Sequence, residues 1–317
     1  MTTSPLVSVE WLSDHIADPS ILIVDIRSAE SGGQAAFAAG HIPGAVHSDY
    51  ASDGWRIAKG GAGGLLPDAG HLSALLGRIG VKPEHHVVVV SAGEAASDFS
   101  AAARVYWTLR VAGHEHVSVL DGGYRSWRDA GQPGEAGWSL PLASEGYPVR
   151  LTGNLRAEAT AVEKAVVTAD AMLLDGRSQA QFDGSEKSPQ VVRAGHLPGA
   201  VHLDHNGAFQ PGTGRLRPVA ELERLFEQVS PGPVISYCNT GHLASTNWFV
   251  LSARTPSACV VRCFFLCLRC RILPMDLRLR SPLCLRGALR RKSVQRLRTG
   301  SQQQSVSFDR PRLTPQK

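Results

Sequence analysis

The residue with the clearest chemical potential is a single cysteine in a short loop. Cys238 follows the apolar run 234–237, and a helical pattern covers residues 244–251. A cysteine between the carboxyl end of a strand and the amino end of a helix faces free backbone N–H groups and the positive end of the helix dipole. We therefore expect its pKa to be lowered and its thiolate to be favoured, as nucleophilic covalent catalysis requires.

An internal repeat of about 150 residues shows which elements must position this loop. Residues 39–47 read Ala-Gly-His-Ile-Pro-Gly-Ala-Val-His, and residues 194–202 read Ala-Gly-His-Leu-Pro-Gly-Ala-Val-His. Apolar runs ending in Asp-x-Arg precede both segments, at residues 21–27 and 172–177. Each half continues with an amphipathic helix and a further apolar run, which ends at Cys238 in the second half.

Strand, loop and helix alternate in both halves, which predicts two α/β domains with mainly parallel sheets flanked by helices. We expect an N-terminal domain at residues 5–130, a linker rich in Gly, Pro, Ala and Ser at 131–150, and a C-terminal domain at 151–253. The second domain is expected to be incomplete, because the Val117–Trp127 pattern of the first has no counterpart near 262–275.

The doubled Gly-His-x-Pro-Gly-Ala motif, the Asp-x-Arg turns and the single Cys-x-x-Gly loop resemble the rhodanese family. The similarity is closest to tandem sulfurtransferases of the thiosulfate and 3-mercaptopyruvate type and covers about residues 5–252. It implies that Cys238 carries sulfur as a persulfide. It also implies an N-terminal domain without a nucleophile, since the equivalent position near Ser91 or Ala92 lacks cysteine.

Within this resemblance we assign roles to individual residues. Gly241 permits a tight loop, His242 is expected to offer partial positive charge to an anionic donor, and Arg193 to bind the anionic end of that donor. The Asp175–Arg177 and Asp25–Arg27 pairs are interpreted as structural ion pairs, and His41 and His196 as scaffold. The substrate-binding residues predicted beside the catalytic Cys238 are Arg193, Asn239, Thr240, Gly241, His242 and Leu243.

The predicted reaction moves sulfane sulfur from thiosulfate to cyanide or a thiol. Two alternatives stay open: 3-mercaptopyruvate as donor, and a rhodanese-like binding module without catalysis. The resemblance implies arginine before Phe182 in mercaptopyruvate enzymes, where this chain has Gln181. A Cys-based phosphatase needs Cys-x5-Arg, and Ala244 occupies the arginine position.

The expected partners are a small sulfur donor and a thiophilic acceptor, with a thioredoxin-like or sulfur-carrier protein as a further acceptor. We expect no cofactor other than the covalent persulfide, and no metal. We also expect no specific nucleic acid and no membrane as partners. The start of the sequence lacks a basic and then apolar leader, and no run of 18 apolar residues occurs. With one cysteine before residue 254, these features predict a cytoplasmic protein.

The composition changes abruptly at residue 254. Residues 1–253 carry 18 basic and 26 acidic residues, net −8, whereas residues 254–317 carry 15 and 2, net +13. A translated frameshift, a divergent basic tail and a metal site are the three interpretations. The spacing of the tail cysteines lacks the separated pairs of a zinc site. We expect little order in the tail, apart from helix in the apolar run 260–268.

Overall fold

The computed structural model of the chain describes residues 4–139, 143–189, 191–254 and 261–265. The described part divides into an N-terminal and a C-terminal α/β domain, as the repeat predicts. No helix in these ranges is long and apolar enough to cross a membrane.

The N-terminal domain is a five-stranded parallel sheet with helices on its faces. Its strands stand in the order β1-β7-β6-β2-β3, and an antiparallel hairpin, β4–β5, lies apart from the sheet. The strands are β1 (Leu6–Val7), β2 (Ile21–Asp25), β3 (Val46–His47), β4 (Ile57–Lys59), β5 (Ala62–Leu65), β6 (His86–Val90) and β7 (Val117–Leu120). The helices are α1 (Val9–His15), α2 (Gly33–Ala39), α3 (Ala69–Arg78), α4 (Ala96–Val111) and α5 (Gly123–Asp129).

The C-terminal domain repeats the central part of this sheet in the order β11-β10-β8-β9, again all parallel. Its helices are α6 (Ala159–Thr168), α7 (Gln179–Asp183), α8 (Val219–Leu225) and α9 (His242–Arg254). Its strands are β8 (Met172–Asp175), β9 (Val201–His202), β10 (Val234–Cys238) and β11 (Val261–Phe265).

Strand β11 corrects two expectations. The sequence pattern led us to expect no strand after α9 and helix in the run 260–268, but Val261–Phe265 pairs with β10 from Val234↔Val261 to Cys238↔Phe265. The strand takes the place that β7 holds beside β6. A short run rich in Val and Phe has high strand propensity, and it covers an edge of β10 that would otherwise be unpaired. The other expectations for the tail lie outside the described residues.

The two domains pack through α4 and α9 and share one hydrophobic core. The rings of Phe99 and Tyr106 meet that of Phe249 edge-on, with centroids 5.3 and 5.0 Å away. At the centre of this contact the hydroxyls of Ser100 and Thr246, both fully buried, are 2.8 Å apart. The contact fixes the amino end of α9, where the cysteine loop ends.

Candidate active site

Cys238 is the last residue of β10, and α9 begins four residues later at His242. The turn between them folds back over the sulfur, so that Sγ accepts the N–H of Gly241 at 3.1 Å and that of Ala244 at 3.4 Å. Gly241 has φ +79°, a left-handed conformation that a residue without a Cβ adopts at little cost. The predicted cradle of backbone donors is therefore present.

Burial of the sulfur is more complete than the sequence suggests. Cys238 is 1 % exposed, and this burial raises the pKa of its thiol. The backbone N–H groups of Ala244, Thr240, Gly241 and Leu243 oppose the rise without cancelling it. The expectation of a lowered pKa was thus wrong, because the loss of water destabilises the thiolate more than the backbone N–H donors stabilise it.

The second residue of the loop is held by two side chains from the Asp-x-Arg segment and the helix after it. Asn239 donates through Nδ2 to Oε1 of Gln181 at 2.8 Å, and its Oδ1 lies 3.4 Å from a terminal nitrogen of Arg177. Arg177 is itself buried and forms a 2.6 Å ion pair with Asp175. The ion pair predicted as structural is confirmed, and it also contacts the loop.

The N-terminal domain covers the loop from the other side. A terminal nitrogen of Arg104 donates to the carbonyl of Thr240 at 3.3 Å, and the other donates to the carbonyl of Gly64 at 3.0 Å. Gly64 lies so close to the loop that a Cβ there would be 2.6 Å from the Thr240 carbonyl oxygen. Hairpin β4–β5 therefore reaches the loop only because residue 64 has no side chain.

His242 connects the loop to the N-terminal domain. Its Nε2 is 3.0 Å from the carbonyl of Ser97, so Nε2 carries the proton, and its Nδ1 then accepts the Tyr50 hydroxyl at 3.0 Å. Burial, with help from nearby Arg56 and Arg104, lowers the pKa of this ring to about 4. The ring is uncharged at neutral pH and its nitrogens are occupied, in contrast to the expectation that it offers positive charge to a donor.

The remaining predicted residues have different surroundings. Arg193 is exposed in the segment between α7 and β9. Arg104 and Arg177, which were not predicted as substrate-binding residues, contact the loop. Leu243 turns its backbone N–H toward Sγ. His196 stacks on Phe182 with 3.8 Å between ring centroids, as His41 stacks on the corresponding Phe37, which fits the scaffold role.

Tyr50, Gly64, Arg104 and the Gln181–Asn239 bond were missed as parts of the site. Three of these residues belong to the N-terminal domain and lie more than 130 positions from Cys238 in sequence. No local motif marks them. Only the position of Gln181 before Phe182 offered a signal, which was interpreted as a difference in donor rather than as a contact.

The comparison with protein families agrees with the duplicated architecture. A model of the rhodanese-like domain matches twice, at residues 8–130 and 158–264. The chain belongs to the rhodanese family. The second match extends into β11, past the boundary expected at residue 253. With two such domains and the loop around Cys238, the chain is a tandem-domain rhodanese sulfurtransferase.

Named relatives of this rhodanese include enzymes for both donors. The chain is 30% identical over 258 residues to "Thiosulfate sulfurtransferase" of Corynebacterium glutamicum, covering 78% of this chain and 80% of the relative. It is also 30% identical over 254 residues to "3-mercaptopyruvate sulfurtransferase" of Escherichia coli, covering 77% and 87%. A crystal structure of a 3-mercaptopyruvate sulfotransferase from Escherichia coli matches with a TM-score of 0.70 and 26% identity, over 83% of this chain and 98% of that one.

Proposed function

We propose that this rhodanese transfers sulfane sulfur from thiosulfate to cyanide or a thiol through a persulfide on Cys238. The observation that carries the proposal is the geometry of the sulfur, which lies at the end of β10 within reach of two backbone N–H donors. The backbone N–H groups that oppose the rise in the pKa of the Cys238 thiol can also donate hydrogen bonds to a persulfide anion.

The reaction has two half-steps. The Cys238 thiol first loses its proton to water, and the thiolate attacks the outer sulfur of thiosulfate. A new S–S bond forms, the S–S bond of thiosulfate breaks, and sulfite leaves with the electron pair. Cyanide or a thiolate then attacks the terminal sulfur of the persulfide, takes that atom, and returns the electron pair to Cys238 as thiolate.

Positive charge near the loop supports an anionic donor. The guanidinium of Arg104 donates to the Thr240 carbonyl and stays charged at any pH of interest, whereas that of Arg177 is already paired with Asp175. Arg104 therefore takes the part that the sequence had assigned to His242 and Arg193. The side chain of Gln181 beside Asn239 offers no cation to a carboxylate, which supports thiosulfate over 3-mercaptopyruvate as the donor.

The same chemistry bears on partners and location. The transferred sulfur needs no resident cofactor, and the acceptor is a small thiophile or a thioredoxin-like or sulfur-carrier protein. A cytoplasmic location is supported by the unpaired thiol of Cys238, which the chemistry requires in reduced form.

Steady-state kinetics test the proposal. With thiosulfate and cyanide varied together, the full chain is expected to give the parallel lines of ping-pong kinetics and a larger kcat/KM than with 3-mercaptopyruvate. Cys238→Ala is expected to be inactive with both donors. A larger kcat/KM for 3-mercaptopyruvate would establish the alternative donor, and folded protein inactive with both donors would establish the binding module.

A further inference from the structure

The N-terminal domain contains a second loop built like that of Cys238. Asp25 pairs with Val90 as Asp175 pairs with Tyr237, so Ser91 occupies the position of Cys238. Here a carboxylate replaces the sulfur as acceptor, because Oδ2 of Asp98 accepts the N–H of Glu94 at 2.9 Å and that of Ala95 at 3.0 Å. Two of the loop's own N–H donors are therefore occupied by a side chain of the same segment.

A cavity of about 250 Å³ lies beside this second loop. That volume is below the usual range for drug-sized ligands and suits a small ion with a few waters. The groups that could face a ligand come from the ends of β2 and β6, from the segment after β3, and from the first residue of α9. They include Arg27, Ser28, Tyr50, Arg56, Ser91 and His242.

Arg56 is the arginine of this cavity that forms no ion pair with any of the residues that the structure describes. Its guanidinium carbon lies 4.3 Å from the centroid of the Tyr50 ring, and its buried Nε has no hydrogen-bond partner among the described residues. A buried, unpaired donor on a charged group costs free energy until an acceptor arrives.

The other charged groups that line the cavity are accounted for. Arg27 is paired with Asp25 at 2.7 Å, and Asp98 is bound to the N–H groups of its own loop. Glu30 is exposed, so water and salt screen its charge. Arg56 thus remains as the group that can attract an anion into the cavity.

We propose that this cavity is a second anion site, in which Arg56 binds a small sulfur oxyanion such as thiosulfate or sulfite. The identity of the anion rests on the proposed function, since these are the donor and the leaving group of that reaction. Arginine presents two parallel N–H groups to two oxygens of one anion, and the hydroxyls of Ser28 and Ser91 supply further donors.

The site is connected to the catalytic loop through two side chains. Tyr50 carries Arg56 on its ring face and holds His242 with its hydroxyl. His242, which begins α9, also lines the cavity, so an anion on Arg56 lies close to the residue at the end of the catalytic loop. The site is separate from the sulfur, because Cys238 does not line the cavity.

Binding is measured on the full chain carrying Cys238→Ala, which cannot form a persulfide. Sodium thiosulfate is titrated while amide NMR signals are followed at Ser91 and Ala92 for the second site and at Gly241 for the catalytic loop. Saturable shifts at Ser91 and Ala92 are expected. Arg56→Gln is expected to weaken that binding about ten- to hundredfold, the range of one lost charge-assisted hydrogen bond.

Two further variants make the test decisive. Arg56→Lys should recover part of the affinity, because lysine restores the positive charge but not the two parallel N–H groups of a guanidinium. Arg110→Gln is the control, since it removes another arginine packed on a tyrosine and should leave the affinity unchanged. Shifts at Gly241 only, or unchanged affinity in Arg56→Gln, would overturn the site. Pyruvate binding as tightly as thiosulfate would overturn the assigned ligand class. The steady-state kinetics of the wild-type chain test the proposed function independently of each of these results.

Discussion

Removal of one oxygen atom from Tyr50 tests how the N-terminal domain holds the catalytic loop. Tyr50→Phe keeps the ring that packs under Arg56 but deletes the hydroxyl that Nδ1 of His242 accepts at 3.0 Å. Among the described residues, no other group donates a hydrogen bond to Nδ1. We expect the free energy of unfolding to fall by about 1–2 kcal/mol, the cost of a lost hydrogen bond with a partly buried acceptor left unpaired.

The assay is urea unfolding of the full chain at pH 7, with Tyr106→Phe as the matched control. Both tyrosines are 5 % exposed, but among the described residues the Tyr106 hydroxyl has one hydrogen-bond partner, the half-buried side chain of Arg110 at 3.2 Å. The control should therefore lose less than about 0.5 kcal/mol. The loosened loop should also react faster with iodoacetamide at Cys238. Equal losses in the two variants, with unchanged alkylation, would refute the role given to His242.

Two further predictions concern the domain contact and acid stability. Gly64→Ala should slow persulfide formation several-fold, because the new Cβ would clash with the Thr240 carbonyl. Gly63→Ala is the control, since a Cβ there enters open space and should leave the rate unchanged. Equal rates in the two variants would show that contact between the hairpin and the loop does not affect the reaction. Burial lowers the pKa of His86 and of His114 from 6.5 to about 4, so between these pH values the unfolded chain binds protons that the folded chain does not. The urea midpoint should therefore fall as pH drops from 6.5 toward 4, and His86→Gln/His114→Gln should flatten this dependence; a slope unchanged by the double variant would contradict it.

The repeat in the sequence was sufficient to predict the fold because each motif has a local cause. Apolar runs ending in Asp-x-Arg became β2 and β8, and both aspartates bind their arginines at the carboxyl edge of the sheet. Strand β11 was not predictable in this way. Its residues lie in the segment after residue 254, whose composition differs from that of the rest of the chain. Their pairing with β10 is a contact between separate segments, which the composition of the segment does not predict.

The site was predictable where it is local and not where it depends on the other domain. The N–H cradle follows from a cysteine between a strand and a helix, and it is present at Gly241 and Ala244. The sign of the pKa shift at Cys238 depends on how deeply the sulfur is buried, and Cys238 belongs to a hydrophobic core that includes residues of the N-terminal domain. The neutral state of His242 has the same origin, since Tyr50 and Ser97 belong to the N-terminal domain.

Intact-protein mass spectrometry tests most directly whether Cys238 carries the transferred sulfur. The full chain is treated with thiosulfate, weighed, then treated with cyanide and weighed again. We expect a gain of one sulfur atom that cyanide removes, and no gain in Cys238→Ala. Folded wild-type protein that gains no sulfur, or a Cys238→Ala variant that gains as much as the wild type, would contradict this role of Cys238.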